Sequence, residues 1–157
     1  MTYFECYADE VVLRAVGFSS KDLEHSFGRS KVCHKLSKDA NSIGFVDEDP
    51  NKAQDPYMRY LFTLPPIYRD EHLLCFTDIK SKNKLLVVRP NLEGWIIKLV
   101  TERKIDLKRD YGLPKDWKEL HDVLMLNRNI RKREIFKNLV EELLNHSSMI
   151  KLKELVQ

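Results

Sequence analysis

Cysteine is scarce in this chain, with three in 157 residues. Cys6, Cys33 and Cys75 are odd in number and widely scattered, so they make neither a disulfide framework nor a Cys-x-x-Cys zinc pattern. A reduced, cytoplasmic setting is the default expectation. No window holds 18 consecutive apolar residues, so no transmembrane helix is expected. The stretch Met1-Thr2-Tyr3-Phe4-Glu5 lacks a basic segment and a long apolar core, so it does not read as a signal peptide. No Gly-x-x-x-x-Gly-Lys-Ser/Thr occurs, which excludes a P-loop. His25, His34, His72, His121 and His146 share no metal-like spacing and read as surface or satisfied core residues. Internal repeats and low-complexity segments are absent.

What is present is an ordinary soluble composition, 43% hydrophobic and 32% charged. The length suits one domain with a sizeable core, or one domain with a helical appendage. Charge is uneven. Residues 1–56 hold 7 Lys/Arg against 10 Asp/Glu, and residues 98–137 hold 12 against 7. That asymmetry fits metal chemistry beside a polyanion-binding surface, and it equally fits solvated helix faces. The best basic cluster is the run 128–133, which has no interleaved aromatics.

The most informative stretch is Ser42-Ile43-Gly44-Phe45-Val46-Asp47-Glu48-Asp49-Pro50. An apolar run bounded by turn residues predicts a buried strand. Alternation puts Asp47 and Asp49 on one side and Glu48 on the other. Two carboxylates held that way suit a hard divalent cation, and an acid-rich turn after a strand has the same look.

Residues 2–7 predict a first strand, interrupted by Glu5, a carboxylate that is costly to bury unless paired or bound to a cation. Asp9 and Glu10 then open a helix striped by Val11, Val12, Ala15 and Val16 and ended by Gly17. A short helix from Ser20, a short strand near 25–27 and a turn at Gly28-Arg29-Ser30 follow, then a helix with Val32 and Leu36 on its core side. The order β-α-β-α-β predicts a mostly parallel sheet. Residues 51–68 read as a loop with one helical turn around 57–61, and 72–77 and 85–88 as a hairpin. From Asn91 the period becomes helical. Leu92, Trp95, Ile96, Leu99 and Val100 form one stripe with Asn91 as N-cap. Pro114 is expected to open the next helix, striped by Trp117, Leu120 and Leu124. Phe136, Leu139, Val140, Leu143 and Leu144 make another, and a short helix is expected over 149–156.

The segments Phe4-Glu5-Cys6-Tyr7-Ala8-Asp9-Glu10 and Val46-Asp47-Glu48-Asp49 give residues 2–89 a resemblance to a Toprim domain. That metal-binding fold is shared by topoisomerases, bacterial-type primases, recombination mediators and OLD-family nucleases. Its pattern is a Glu ending the first strand, an acid shortly after, and an Asp-x-Asp ending a later parallel strand. Small stand-alone relatives also carry a Gly-rich turn opening a helix, where this chain has Phe27-Gly28-Arg29-Ser30-Lys31-Val32, and a Leu-Glu segment after the sheet, here Leu92-Glu93. Where the family often has Gly after the first Glu, this chain has Cys6. Nothing matches the tyrosine-nucleophile domain of a topoisomerase or the zinc ribbon of a primase.

The resemblance implies an α/β fold, a Toprim-like mostly parallel central sheet flanked by helices over 1–90, with a helical extension over 91–157 packed on it. It implies Mg²⁺ or Mn²⁺ held by Asp47 and Asp49, with Glu5 as a further ligand or general acid/base. Asp9 is then a further ligand or only a helix cap, and Glu93 a second-site ligand or only a first-turn acid. Backbone N–H groups after Gly28, with Arg29 and Lys31, would hold a phosphate. The implied activity is phosphodiester cleavage in DNA or RNA, with any partner ATPase a separate protein. The alternative is a Toprim-like module that binds nucleic acid or a partner without catalysis. A sugar-nucleotide or nucleotidyl transferase would also use Asp-x-Asp but needs more chain. A haloacid-dehalogenase-like phosphatase would place that motif on the first strand.

Overall fold

The computed structural model describes residues 1–126 and 130–157, with the side chains of residues 126 and 130–132 outside that description. Six strands form one sheet: β1 (Thr2–Phe4), β2 (Leu23–His25), β3 (Ile43–Asp47), β4 (Tyr68–Arg69), β5 (Leu73–Asp78) and β6 (Asn83–Val88). Their order is β2-β1-β3-β6-β5-β4. β2, β1, β3 and β6 run parallel, and β5 and β4 are antiparallel additions on one side. The expected mostly parallel sheet and the hairpin after it are both present.

The helices are α1 (Tyr7–Ala15), α2 (Arg29–Lys38), α3 (Pro56–Phe62), α4 (Leu92–Glu102), α5 (Leu107–Tyr111), α6 (Trp117–Leu126), α7 (Ile130–Leu143) and α8 (Ser147–Val156). Strand alternation divides the core in two. Phe4, Phe45, Leu86 and Val88 point to one face and meet Val12, Trp95, Leu99, Phe136 and Leu152. Tyr3, Val46, Leu85 and Val87 point to the other and meet Val32, Leu36, Met58 and Leu61. Residues before and after position 90 therefore share one core layer. Gly44 lets α2 lie close on β3: a Cβ there would stand 2.9 Å from Leu36 Cδ2 and 3.0 Å from Leu85 Cδ1. No helix among the described residues is long and apolar enough to cross a membrane.

Several local expectations are corrected. β1 stops at Phe4 rather than Tyr7. The Asp9 carboxylate accepts from Glu5 N (3.0 Å) and Cys6 N (2.8 Å), and this capping box turns the chain into α1 two residues early, overriding the strand preference of Cys6 and Tyr7. β2 covers 23–25, not 25–27, because Phe27 adopts φ +56°. β4 and α5 were not foreseen. β4 is only two residues long, and Gly112 ends α5 at φ +64°. Pro114 does not open α6. Asp116 does, accepting from Lys118 N (3.0 Å) and Glu119 N (3.2 Å). Trp117, expected in the core, starts that helix and is 45% exposed. Of the basic run 128–133, Arg128, Asn129 and the side chains of 130–132 lie outside the described residues.

Candidate functional site

The acidic residues singled out by the sequence meet at the C-terminal edge of the parallel strands, where ligands bind in open α/β sheets. β1 and β3 are neighbours, with Phe4 opposite Phe45, so Glu5 follows one strand end beside the end of the other. Glu5 Oε1 accepts from Asp47 N at 2.8 Å. Asp47 Oδ1 accepts from Leu92 N at 2.9 Å, which ties the start of α4 to the same edge. Asp49, at φ +41°, lies just past β3. Glu48 faces away and pairs with Arg89, Nη2 to Oε1 3.1 Å, as the alternation predicted.

Glu5, Asp47, Asp49 and Glu93 line one open cleft of about 480 Å³. Asp49 Oδ2 pairs with Lys52 Nζ at 2.6 Å, and Glu93 Oε1 stands 3.0 Å from His121 Nδ1. Asp9 is not on the wall. It is buried behind Glu5, and its Oδ2 is engaged by the two backbone N–H groups that begin α1.

The electrostatics follow from crowding in a partly dry place. Burial first, then the charge of Asp9, Glu5, Glu93 and Asp49, pushes the Asp47 carboxyl up to about 9. Burial and the Glu5 charge push Asp9 up to about 8. Glu5 is raised by burial, opposed by the hydrogen bond from Asp47 N.

The cleft also has an aromatic wall. Tyr7, His25 and Phe27 line the cleft with Leu124 and Met125. The His25 ring stands 3.9 Å from Phe27 and 4.6 Å from Tyr7, centroid to centroid. Its Nε2 donates to the Glu5 carbonyl at 2.8 Å, and its buried Nδ1 has no hydrogen-bond partner among the described residues. Phe27 is 67% exposed in a left-handed conformation that is unusual for a bulky residue. The only sequence signal for this wall was the Phe-Gly turn itself.

A shallower groove of about 390 Å³ adjoins the cleft and runs past Gly28, Arg29, Ser30 and Lys31 at the start of α2. Gly28 caps the helix without a side chain, and the N–H groups of Arg29 and Ser30 have no partner among the described residues. Arg29 itself is turned inward. Its guanidinium donates to the carbonyls of Glu48 (2.6 Å), Ala53 (2.9 Å) and Asp47 (3.4 Å), and so holds the loop that carries Asp49. Lys31 is exposed and lies 5.8 Å from the Phe27 ring centre.

A second cluster was missed entirely. Glu71, His72 and Glu102 each place one ligand-type atom within 4.8 Å of the others. Glu71 and His72 are adjacent, but Glu102 lies too far along the chain for any spacing rule to connect it to them. Comparison of the chain with protein-family models, curated proteins and solved structures found no match.

Proposed function

We propose that this chain is a Toprim-like, Mg²⁺- or Mn²⁺-dependent protein that cleaves phosphodiesters in nucleic acid. One observation carries the proposal: Glu5, Asp47, Asp49 and Glu93, from three separate segments, share one cleft at the carboxyl edge of the parallel strands. The carboxylates fit a hard cation. Among the described residues, Glu5 Oε2, Asp47 Oδ2, Asp49 Oδ1 and Glu93 Oε2 accept no hydrogen bond, while their sister oxygens are anchored. A bound divalent cation would supply Lewis-acid polarisation of a phosphoryl oxygen and a readied water.

The chain's own groups then divide the remaining work. Asp47 and Asp49 hold position on β3 and the loop after it, with Arg29 bracing that loop from behind. Glu5, anchored by one oxygen, has the other in place to take or return a proton. The free N–H groups at the start of α2, with Lys31 and Lys52, suit a flanking phosphate. Tyr7, His25 and Phe27 offer ring faces to an unpaired base, which points to nucleic acid with unstacked bases near the cut.

A non-catalytic nucleic-acid or partner-binding module is the second reading. It is favoured by the anchoring of Glu5 and Asp47 to backbone N–H groups, a structural role that needs no cation. Calorimetric titration of Mg²⁺ and Mn²⁺, followed by cleavage assays on single- and double-stranded oligonucleotides, separates the two. Metal binding and cleavage that both vanish in Asp47→Asn/Asp49→Asn support the enzyme. A folded protein that binds no metal at millimolar concentration removes it.

A further inference from the structure

We propose that Glu71, His72 and Glu102 form a second metal site, for a Zn²⁺-class transition metal, separate from the acidic cleft. His72 Nε2 stands 3.1 Å from Glu102 Oε1 and 3.7 Å from Glu71 Oε1. Donors at the corners of a tetrahedron around Zn²⁺ are about 3.3 Å apart, from metal–ligand bonds of roughly 2.0–2.1 Å. The two measured edges bracket that value.

The His72 side chain is 8% exposed, and its ring edge points between the two carboxylates. Its other nitrogen, Nδ1, is buried with no hydrogen-bond partner among the described residues, and the ring meets the His146 ring edge-on at 6.0 Å between centroids. Among the described residues no lysine or arginine pairs with the carboxylate of Glu71 or Glu102. Lys98 Nζ instead donates to the Glu71 carbonyl, at 3.2 Å. Two carboxylates and one imidazole are therefore left facing each other without a fixed cation.

Glu102 is also oriented from behind. His146 Nδ1 accepts from Ser148 N (3.0 Å), which fixes the proton on Nε2, and Nε2 donates to Glu102 Oε2 at 2.7 Å. A histidine bonded to a ligating carboxylate is the outer-shell arrangement that metal sites use to fix ligand geometry. His146 is thus a positioning residue, not a ligand. Glu71 is exposed at 78% of its side chain, which leaves one side of the site open to water.

Ligand softness separates this site from the cleft. An imidazole with two carboxylates favours Zn²⁺, Co²⁺ or Mn²⁺ over Mg²⁺, whereas the cleft carboxylates offer oxygen alone. The two sites sit toward opposite ends of α4, with Glu93 and Glu102 about 14 Å apart along its axis at 1.5 Å per residue. A metal bound here would tie the loop before β5 to the end of α4, and through His146 to the start of α8.

The test is Zn²⁺ titration of the full chain against a chromophoric chelator, with Co²⁺ absorption as a readout of coordination and circular dichroism as a check on folding. One tight Zn²⁺ equivalent is expected in the wild type and in Asp47→Asn/Asp49→Asn. Affinity should fall at least 100-fold in Glu71→Ala and in His72→Gln. Glu71 is exposed, so its variant keeps the test informative should His72→Gln fail to fold. His146→Asn keeps a capping side chain for α8 and should weaken Zn²⁺ by about 10- to 100-fold. Absence of tight Zn²⁺ binding by the folded wild type overturns the proposal. So does binding that survives Glu71→Ala, or that is lost only with Asp47 and Asp49.

Discussion

Helix α4 connects two carboxylate sites that differ in kind. Near its start, Glu93 joins Glu5, Asp47 and Asp49 in a cleft where burial and the neighbouring carboxylates push the Asp47 carboxyl upward. At its end, Glu102 lies between two buried histidines, one in front and one behind. The first site is an oxygen site, built by strand ends and crowded with like charge. The second is mixed nitrogen and oxygen, built from a loop and two helix termini. The contrast shows that one helix can place a carboxylate in a different chemical setting at each end, because each terminus meets different neighbours.

The comparison depends first on α4 staying in place. Trp95 is fully buried beneath it and donates from Nε1 to Ser148 Oγ at 3.0 Å. Trp95→Ala should lower stability by about 3–5 kcal/mol and weaken metal binding at both ends, as measured by urea unfolding and parallel Mg²⁺ and Zn²⁺ titrations. If only one site weakens, the helix is not the common support.

Asp47→Asn/Asp49→Asn should lower Mg²⁺ affinity by two orders of magnitude or more while leaving Zn²⁺ uptake unchanged. Loss of both would mean that the sites are coupled.

A third, smaller effect concerns pH. Carboxyl groups pushed up in the folded state bind protons there that the unfolded chain has already released, so stability falls as pH rises through that interval. For Asp9 and Asp47 the interval runs from the ordinary carboxylate range near 4 up to about 8 and about 9 respectively. Metal-free protein should therefore lose thermal stability between these limits, and Mg²⁺ should restore it at the upper end. A metal-free Tm that rises over the same interval would contradict the crowded-carboxylate picture.

The smallest effect is at the aromatic wall. Phe27→Ala should weaken binding of a single-stranded oligonucleotide by about 1–3 kcal/mol, read by fluorescence anisotropy, with Mg²⁺ affinity unchanged. An equal loss for duplex would argue against stacking on an unpaired base.

Much of the acidic cleft was legible because its signals are local. The apolar run from Ile43 located β3 and placed the acids Asp47 and Asp49 at its end, and the stripe from Leu92 to Val100 located α4 with its Asn91 cap. Asp9 and Arg29 were harder. Sequence named both as candidates for ligand contact, but Asp9 turned out to cap two backbone N–H groups, and Arg29 reaches carbonyls 18 to 24 residues away. A short acid and a long base carry no mark of which backbone they will serve. The aromatic wall was hidden for a similar reason: the positive φ at Phe27 exposes a ring that strand propensity alone would have buried.

By itself, then, the sequence determined the period of the longer elements, the parallel strand–helix alternation and the strand-end acids, since these follow from residues two to four positions apart. Only the tertiary structure decided which acids share a cleft, and that His72, Glu102 and His146 meet across 74 residues of chain. Such contacts depend on the packing of α4 and α8 against the sheet, and no short spacing encodes that packing.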